Sequence, residues 1–153
     1  MKILTAAAIV WPVILAATVL ARQHGQMPVW TLAIYAIGSR ICHQIPARSF
    51  HLHGVQWPVC ARCLGLYLAA PIGAVAALVA HDRAVRGDGR LWRLGAWPLL
   101  MLAAFPTACT LAIEWPGFGA PSNLTRALAA LPLGAAIAFL VVRAAAGRHA
   151  AIR

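Results

Sequence analysis

Apolar residues along this 153-residue chain come in long uninterrupted blocks, and polar residues collect in the gaps between them. Ile3 to Ala21 carries no charge and is bracketed by Lys2 and Arg22. Leu64 to Ala80, Leu94 to Ile113 and Ala127 to Val142 repeat the pattern. A helix of about twenty apolar residues crosses the hydrocarbon core of a bilayer, so the blocks predict four spans, near 3–21, 60–80, 94–113 and 124–143. The second span is read back towards Pro58, since proline is favoured at helix starts; this puts Cys60 and Cys63 in its first turns. A cleaved leader ending at Val19-Leu20-Ala21 is the rival reading of the first block, but its apolar run is long for a signal core. Met27 to Ser39 is uncharged and too short to span. Its Trp30 and Tyr35 suit a helix at the headgroup level, over about 28–40. The expectation is an all-α integral membrane bundle, one membrane domain over 1–153. It has four transmembrane helices, a short interfacial helix and a Cys/His loop at 41–59.

Composition agrees with the pattern: 62% of the residues are hydrophobic and 10% charged, where a soluble domain carries about 25% charged residues. Too few polar side chains exist to cover a water-facing surface. The formal charge of +10 raises nucleic acid as a partner. However, the basic residues flank apolar runs instead of forming one stripe, so the expected partner is the lipid bilayer and not nucleic acid. Lys2, Arg83, Arg86, Arg90, Arg93, Arg143, Arg148 and Arg153 fall at one end of the spans. Arg22, Arg40, Arg48, Arg62 and Arg126 fall at or near the other. The positive-inside bias then places both termini in the cytoplasm of a multi-pass protein of the bacterial inner membrane, with its Cys/His site on the extracytoplasmic side. Prolines 12, 71, 98, 106 and 132 lie within the spans, which membrane helices tolerate, and Gly65, Gly73 and Gly134 allow close helix packing.

This topology brings Cys42, His43, Cys60, Arg62, Cys63, Glu114, Asn123 and Arg126 to one face of the membrane. Glu114 is the single carboxylate on that face, because Asp82 and Asp88 fall in the opposite loop. It is expected to pair with Arg126 or Arg62, while Asn123 caps the fourth span, with Arg126 at the third helical position. A helix-joining salt bridge is the plain reading of such a pair; proton handling by Glu114 is the functional one.

Cys60-Ala61-Arg62-Cys63 is a C-x-x-C pair, whose sulfurs share one helix face. With Cys42 they offer three soft ligands, and His43, His51 or His53 a fourth, which predicts a tetrahedral Cys3His zinc site whose negative charge Arg48 or Arg62 offsets. His43 has a second role open to it, orienting a ligand from behind. The alternative is redox: a C-x-x-C at a helix N-terminus, with an arginine between the sulfurs, favours a thiolate. Cys60 and Cys63 would then cycle as a disulfide, with Cys42 as resolving thiol and a quinone as cofactor. Quinone-linked disulfide-generating membrane proteins are similar in their four helices, although this chain lacks their second cysteine pair. In the third reading the cysteines merely staple a non-catalytic interaction subunit. Cys109, inside the third span, reads as a packing residue.

Cys42-His43-Gln44, Pro46, Arg48-Ser49-Phe50, Pro58, Cys60-Ala61-Arg62-Cys63, Gly65 and Tyr67 together resemble the signature of a bacterial membrane-protein family, domain of unknown function 2085. Glu114, Asn123, Arg126 and Gly134 resemble its downstream pattern, so the likeness covers about Ile41 to Gly134. It implies a small multi-helix membrane protein with a cysteine-rich centre and brings no activity with it. His51 and His53 fall outside the signature, which lowers them as ligands.

Overall fold

The computed structural model describes residues 1–25, 28–90 and 92–151, with side chains as far as Gly147. Met27, where the short uncharged stretch begins, lies outside them, as do Leu91 and Arg153 and the side chains of Arg148 and His149. Among the described residues five α-helices follow one another: α1 (Lys2–Gln23), α2 (Val29–Ile41), α3 (Ala61–Val85), α4 (Ala96–Glu114) and α5 (Asn123–Ala151). Four of them, α1, α3, α4 and α5, are long and apolar enough to cross a membrane. Their outward faces carry Ile72, Trp97, Leu102 and Phe105, all well exposed, as lipid-facing side chains are. Helix α2 has 13 residues; at 1.5 Å per residue it is about 20 Å long, short of a hydrocarbon core of about 30 Å.

Helices α3 and α5 share the most extensive interface, α4 packs on α5, and α1 packs on α3. Small residues set the α3–α5 distance. A Cβ at Gly65 would collide with the carbonyl of Ala127, and one at Gly134 with the carbonyl of Leu66. Backbones this close are the membrane alternative to interlocking large side chains. Ala74, Ala77, Ala80, Phe139 and Val142 continue the seam away from the cysteines. At that far end the Arg143 guanidinium donates to the carbonyls of Trp92 (3.1 Å) and Leu94 (2.6 Å), tying α5 to the start of α4.

The segment read as a loop contains more structure than its sequence suggests. After a 3-10 turn at Pro46–Arg48, strands β1 (Ser49–Leu52) and β2 (Val55–Cys60) form an antiparallel hairpin. His53 (φ 49°) and Gly54 (φ 82°) make its two-residue turn; positive φ at both central positions is the geometry whose twist matches the strands. Ser49 pairs with Cys60 and His51 with Gln56, so β2 bulges between those pairs. Pro58 sits in the bulge and does not begin the helix: a missing N–H is harmless where no ladder bond would use it.

Candidate functional site

Each cysteine of the trio is delivered by a different element boundary. Cys42 terminates α2, Cys60 ends β2 and serves as the N-cap of α3, and Cys63 lies in the first turn of α3. Their sulfurs all lie within 4.8 Å of one another, and all three thiols are free. Cys42 is buried against Leu15, Val59 and Leu64, and its sulfur accepts the Cys60 backbone N–H at 3.1 Å. The Cys60 thiol is held below the ordinary thiol range, chiefly by the hydrogen bond from the Cys63 side chain, against the opposing effect of burial.

Polar groups around the bulge hold this arrangement. Gln44, itself at positive φ (48°), donates its amide to the carbonyls of Tyr35 (2.9 Å) and Pro58 (2.6 Å). Gln56 donates to the Gln44 carbonyl at 2.7 Å, and the Tyr35 hydroxyl donates to the Gln56 carbonyl. The Pro58 carbonyl, inside the bulge, is thus satisfied by a side chain, as buried backbone polar groups must be. Gly38 has no room for a Cβ beneath Pro58 and Gln44. The strap that carries Cys42 therefore fits closely against the strand that carries Cys60. Sequence reasoning missed Gln56 and gave Gln44 no role; two amides in a chain this poor in polar groups were the available signal.

Beside the sulfurs, Glu114 joins three guanidiniums. Arg62 reaches its Oε2 at 2.6 Å, while Arg126 Nη2 (2.9 Å) and Arg48 Nε (3.0 Å) share Oε1. The expected pairing with Arg126 or Arg62 takes the form of both at once, with Arg48 added. The bridge joins the start of α3, the end of α4 and the start of α5. The Arg126 side chain is 7% exposed, Glu114 9% and Arg62 16%, whereas Arg48 is 47% exposed. Arg62 also approaches the Thr110 hydroxyl at 3.4 Å.

Asn123 is not the cap of α5. The Ser122 hydroxyl accepts the Thr125 N–H at 3.1 Å and does that work, which frees Asn123 for two longer reaches. Its Oδ1 accepts Arg126 Nη1 at 2.8 Å, and its amide donates to the Ser49 carbonyl at 2.9 Å. One side chain thereby pins the hairpin to the arginine cluster. Serine and asparagine are near-equal caps, so the choice between neighbours was made by what Asn123 touches further away.

A cavity of about 240 Å³ lies over the trio, lined by Cys42, Cys60, Cys63, His43 and all three arginines. His43 is exposed and stays outside the group of mutually close sulfurs, although it lines the same cavity. His51 is exposed on β1 and His53 forms the turn. Cys109 is exposed on α4 and does not join the trio; it faces outward instead of packing in the core. Three sulfurs at this spacing, near an arginine cluster, can hold one soft metal ion or exchange a disulfide.

A family model described as Predicted membrane protein (DUF2085) matches residues 42–140 of this chain, from the first cysteine of the trio into the middle of α5. An uncharacterised protein of Methanocaldococcus jannaschii is 44% identical over 45 residues, 29% of each chain. The match thus spans under a third of that relative's length. An uncharacterised protein of Methanothermobacter thermautotrophicus is 29% identical over 100 residues, covering 65% of this chain and 83% of the relative. Both relatives are archaeal, so the likeness reaches beyond the bacterial proteins that the sequence suggested. No solved structure matches.

Proposed function

The chain belongs to the predicted membrane protein family DUF2085, and from that premise we propose that it is a multi-pass membrane protein binding zinc or another soft-ligand metal through Cys42, Cys60 and Cys63. The observation that carries this reading is the spacing of the three sulfurs, all within 4.8 Å of one another. Tetrahedral zinc–thiolate bonds of about 2.3 Å require sulfurs about 3.8 Å apart; small side-chain adjustments bring this trio there. Three thiolates around a divalent ion leave one negative charge, and Arg48, Arg62 and Arg126 line the same cavity to balance it. The N–H of Cys60 on the Cys42 sulfur and the start of α3 favour thiolate further. His43 is available at the rim as a ligand or as a partner for one.

The site is assigned to the extracytoplasmic face and both termini to the cytoplasm. In support, the basic loop between α3 and α4 and the end of α5 lie at the opposite end of the bundle from the cysteines, and Arg143 is anchored there.

The second reading, a membrane thiol–disulfide oxidoreductase, is favoured by one observation, the close approach of the free Cys60 and Cys63 sulfurs, within 4.8 Å of each other at the start of α3. In that reaction Cys60 and Cys63 give up two electrons and two protons to a quinone and form a disulfide. Metal and thiol analysis of the purified protein separates the two. About one metal per chain, with thiols that react only after chelation, supports the metal centre. Metal-free protein with a reducible Cys60–Cys63 disulfide overturns it in favour of redox chemistry.

A further inference from the structure

Three guanidiniums surround a single carboxylate, and all three line the cavity over the sulfurs, while Glu114 does not. No carboxylate lines that cavity among the described residues. Among the described residues Arg126 is almost wholly buried, and three guanidiniums meet one carboxylate, an excess of two positive charges beside the cavity. Guanidinium groups match pairs of oxygens on a carboxylate or phosphate. The sulfurs make up only three ligands, and a tetrahedral ion takes four. His43 stands outside the close group.

We propose that the cavity binds a phosphate-class oxyanion, held by Arg48, Arg62 and Arg126 and occupying the fourth position of the metal carried by the three cysteines. This rests on the metal reading above. The anion's charge offsets the arginine excess, and one oxygen completes the metal's coordination. Such a centre has an exchangeable position, in contrast to a purely structural site, where protein supplies all four ligands. The oxyanion can be free phosphate or the phosphate of a lipid headgroup, since Ile41 and Ile45 line the same cavity.

The test uses the full chain, loaded with Co²⁺ in a phosphate-free maltoside detergent and titrated with inorganic phosphate. Thiolate-to-cobalt charge-transfer absorption reports the metal, and the cobalt d–d bands report its fourth ligand. Expected is a saturable d–d shift. It weakens about tenfold or more in Arg48→Ala and partly recovers in Arg48→Lys, each titrated at full cobalt loading as read by the charge-transfer absorption. Arg48 is the half-exposed member, so its replacement should cost little stability. In nanodiscs of phosphatidylglycerol, bands already shifted without added phosphate identify a headgroup as the source. Bands indifferent to phosphate and to lipid overturn the proposal while leaving the metal reading intact. So does a His43→Ala variant that loses tetrahedral cobalt, because His43 would then hold the fourth position. Absence of charge-transfer absorption overturns the metal reading itself, and this proposal with it.

Discussion

At the scale of single residues, acidity and charge are distributed unevenly over the site. The hydrogen bond from Cys63 holds the Cys60 thiol below its ordinary range, so the thiolate persists on the acid side of the normal thiol titration. In metal-free protein, alkylation of Cys60 should therefore continue at pH values where a free cysteine has stopped reacting. Cys63→Ala, which removes the principal cause, should move the pH profile of that reaction upward; mass spectrometry of the labelled site reads it. A profile identical in the two proteins would mean that the Cys63 bond does not set the acidity. The arginines differ from one another in the same way. Glu114→Gln leaves Arg62 and Arg126 charged and buried without a counter-ion, a loss of about 3–5 kcal/mol. Arg48→Ala removes a half-exposed partner and should cost at most about 1 kcal/mol. Thermal unfolding in detergent should rank them in that order.

At the scale of elements, the long apolar blocks were legible because a bilayer leaves little choice. A run of about twenty apolar residues must bury its backbone polarity in a helix. The hairpin was not legible. Ser49–Leu52 is too short to display an alternation, and Pro58 reads as a helix start until its place in a bulge is seen. The three site cysteines were found because residue type alone marks them, and Glu114 because it had no acidic competitor. Asn123 was assigned the wrong task, since its neighbour Ser122 caps equally well and long-range partners leave no trace in local spacing. The close approach of α3 and α5 yields a sharp prediction. Gly134→Leu inserts a side chain where the Leu66 carbonyl already stands, and overpacking of this kind costs about 1–3 kcal/mol or more. The change lies well along α5 from Asn123 and Arg126. It should lower the unfolding temperature of the bundle, while the equivalent change at exposed Gly147, where nothing crowds the backbone, should not.

At the scale of the whole molecule, the metal-bound trio adds a covalent-strength link between parts otherwise joined by the Gln44, Gln56 and Tyr35 hydrogen bonds and by Asn123. Helix α2 packs chiefly on α1 and β2, and Cys42 caps its end. Cys60 and Cys63 belong to the junction of β2 with α3, the helix at the centre of the bundle. A metal ion bonded to all three sulfurs therefore closes a loop from Cys42 to Cys60 and fixes α2 and the hairpin to the core. Ligand binding stabilises the folded state in proportion to the logarithm of metal over dissociation constant, about 4 kcal/mol at a thousandfold excess. Chelation should accordingly lower the unfolding temperature of the purified protein, and zinc should restore it. The loss should be local at first: hydrogen exchange should rise in 29–60 before it rises in α3 or α5, whose small-residue seam owes nothing to the metal. Acid should mimic the chelator, because protons compete with metal for thiolates, and stability should fall as pH drops through the range where the metal is released. Cys42→Ser removes the one sulfur contributed from outside the C-x-x-C. It should abolish both the chelator effect and the protection of 29–60 while leaving the four spanning helices folded. Equal sensitivity of wild type and Cys42→Ser to chelator would place any metal elsewhere and remove the trio's role as the link between strap and bundle.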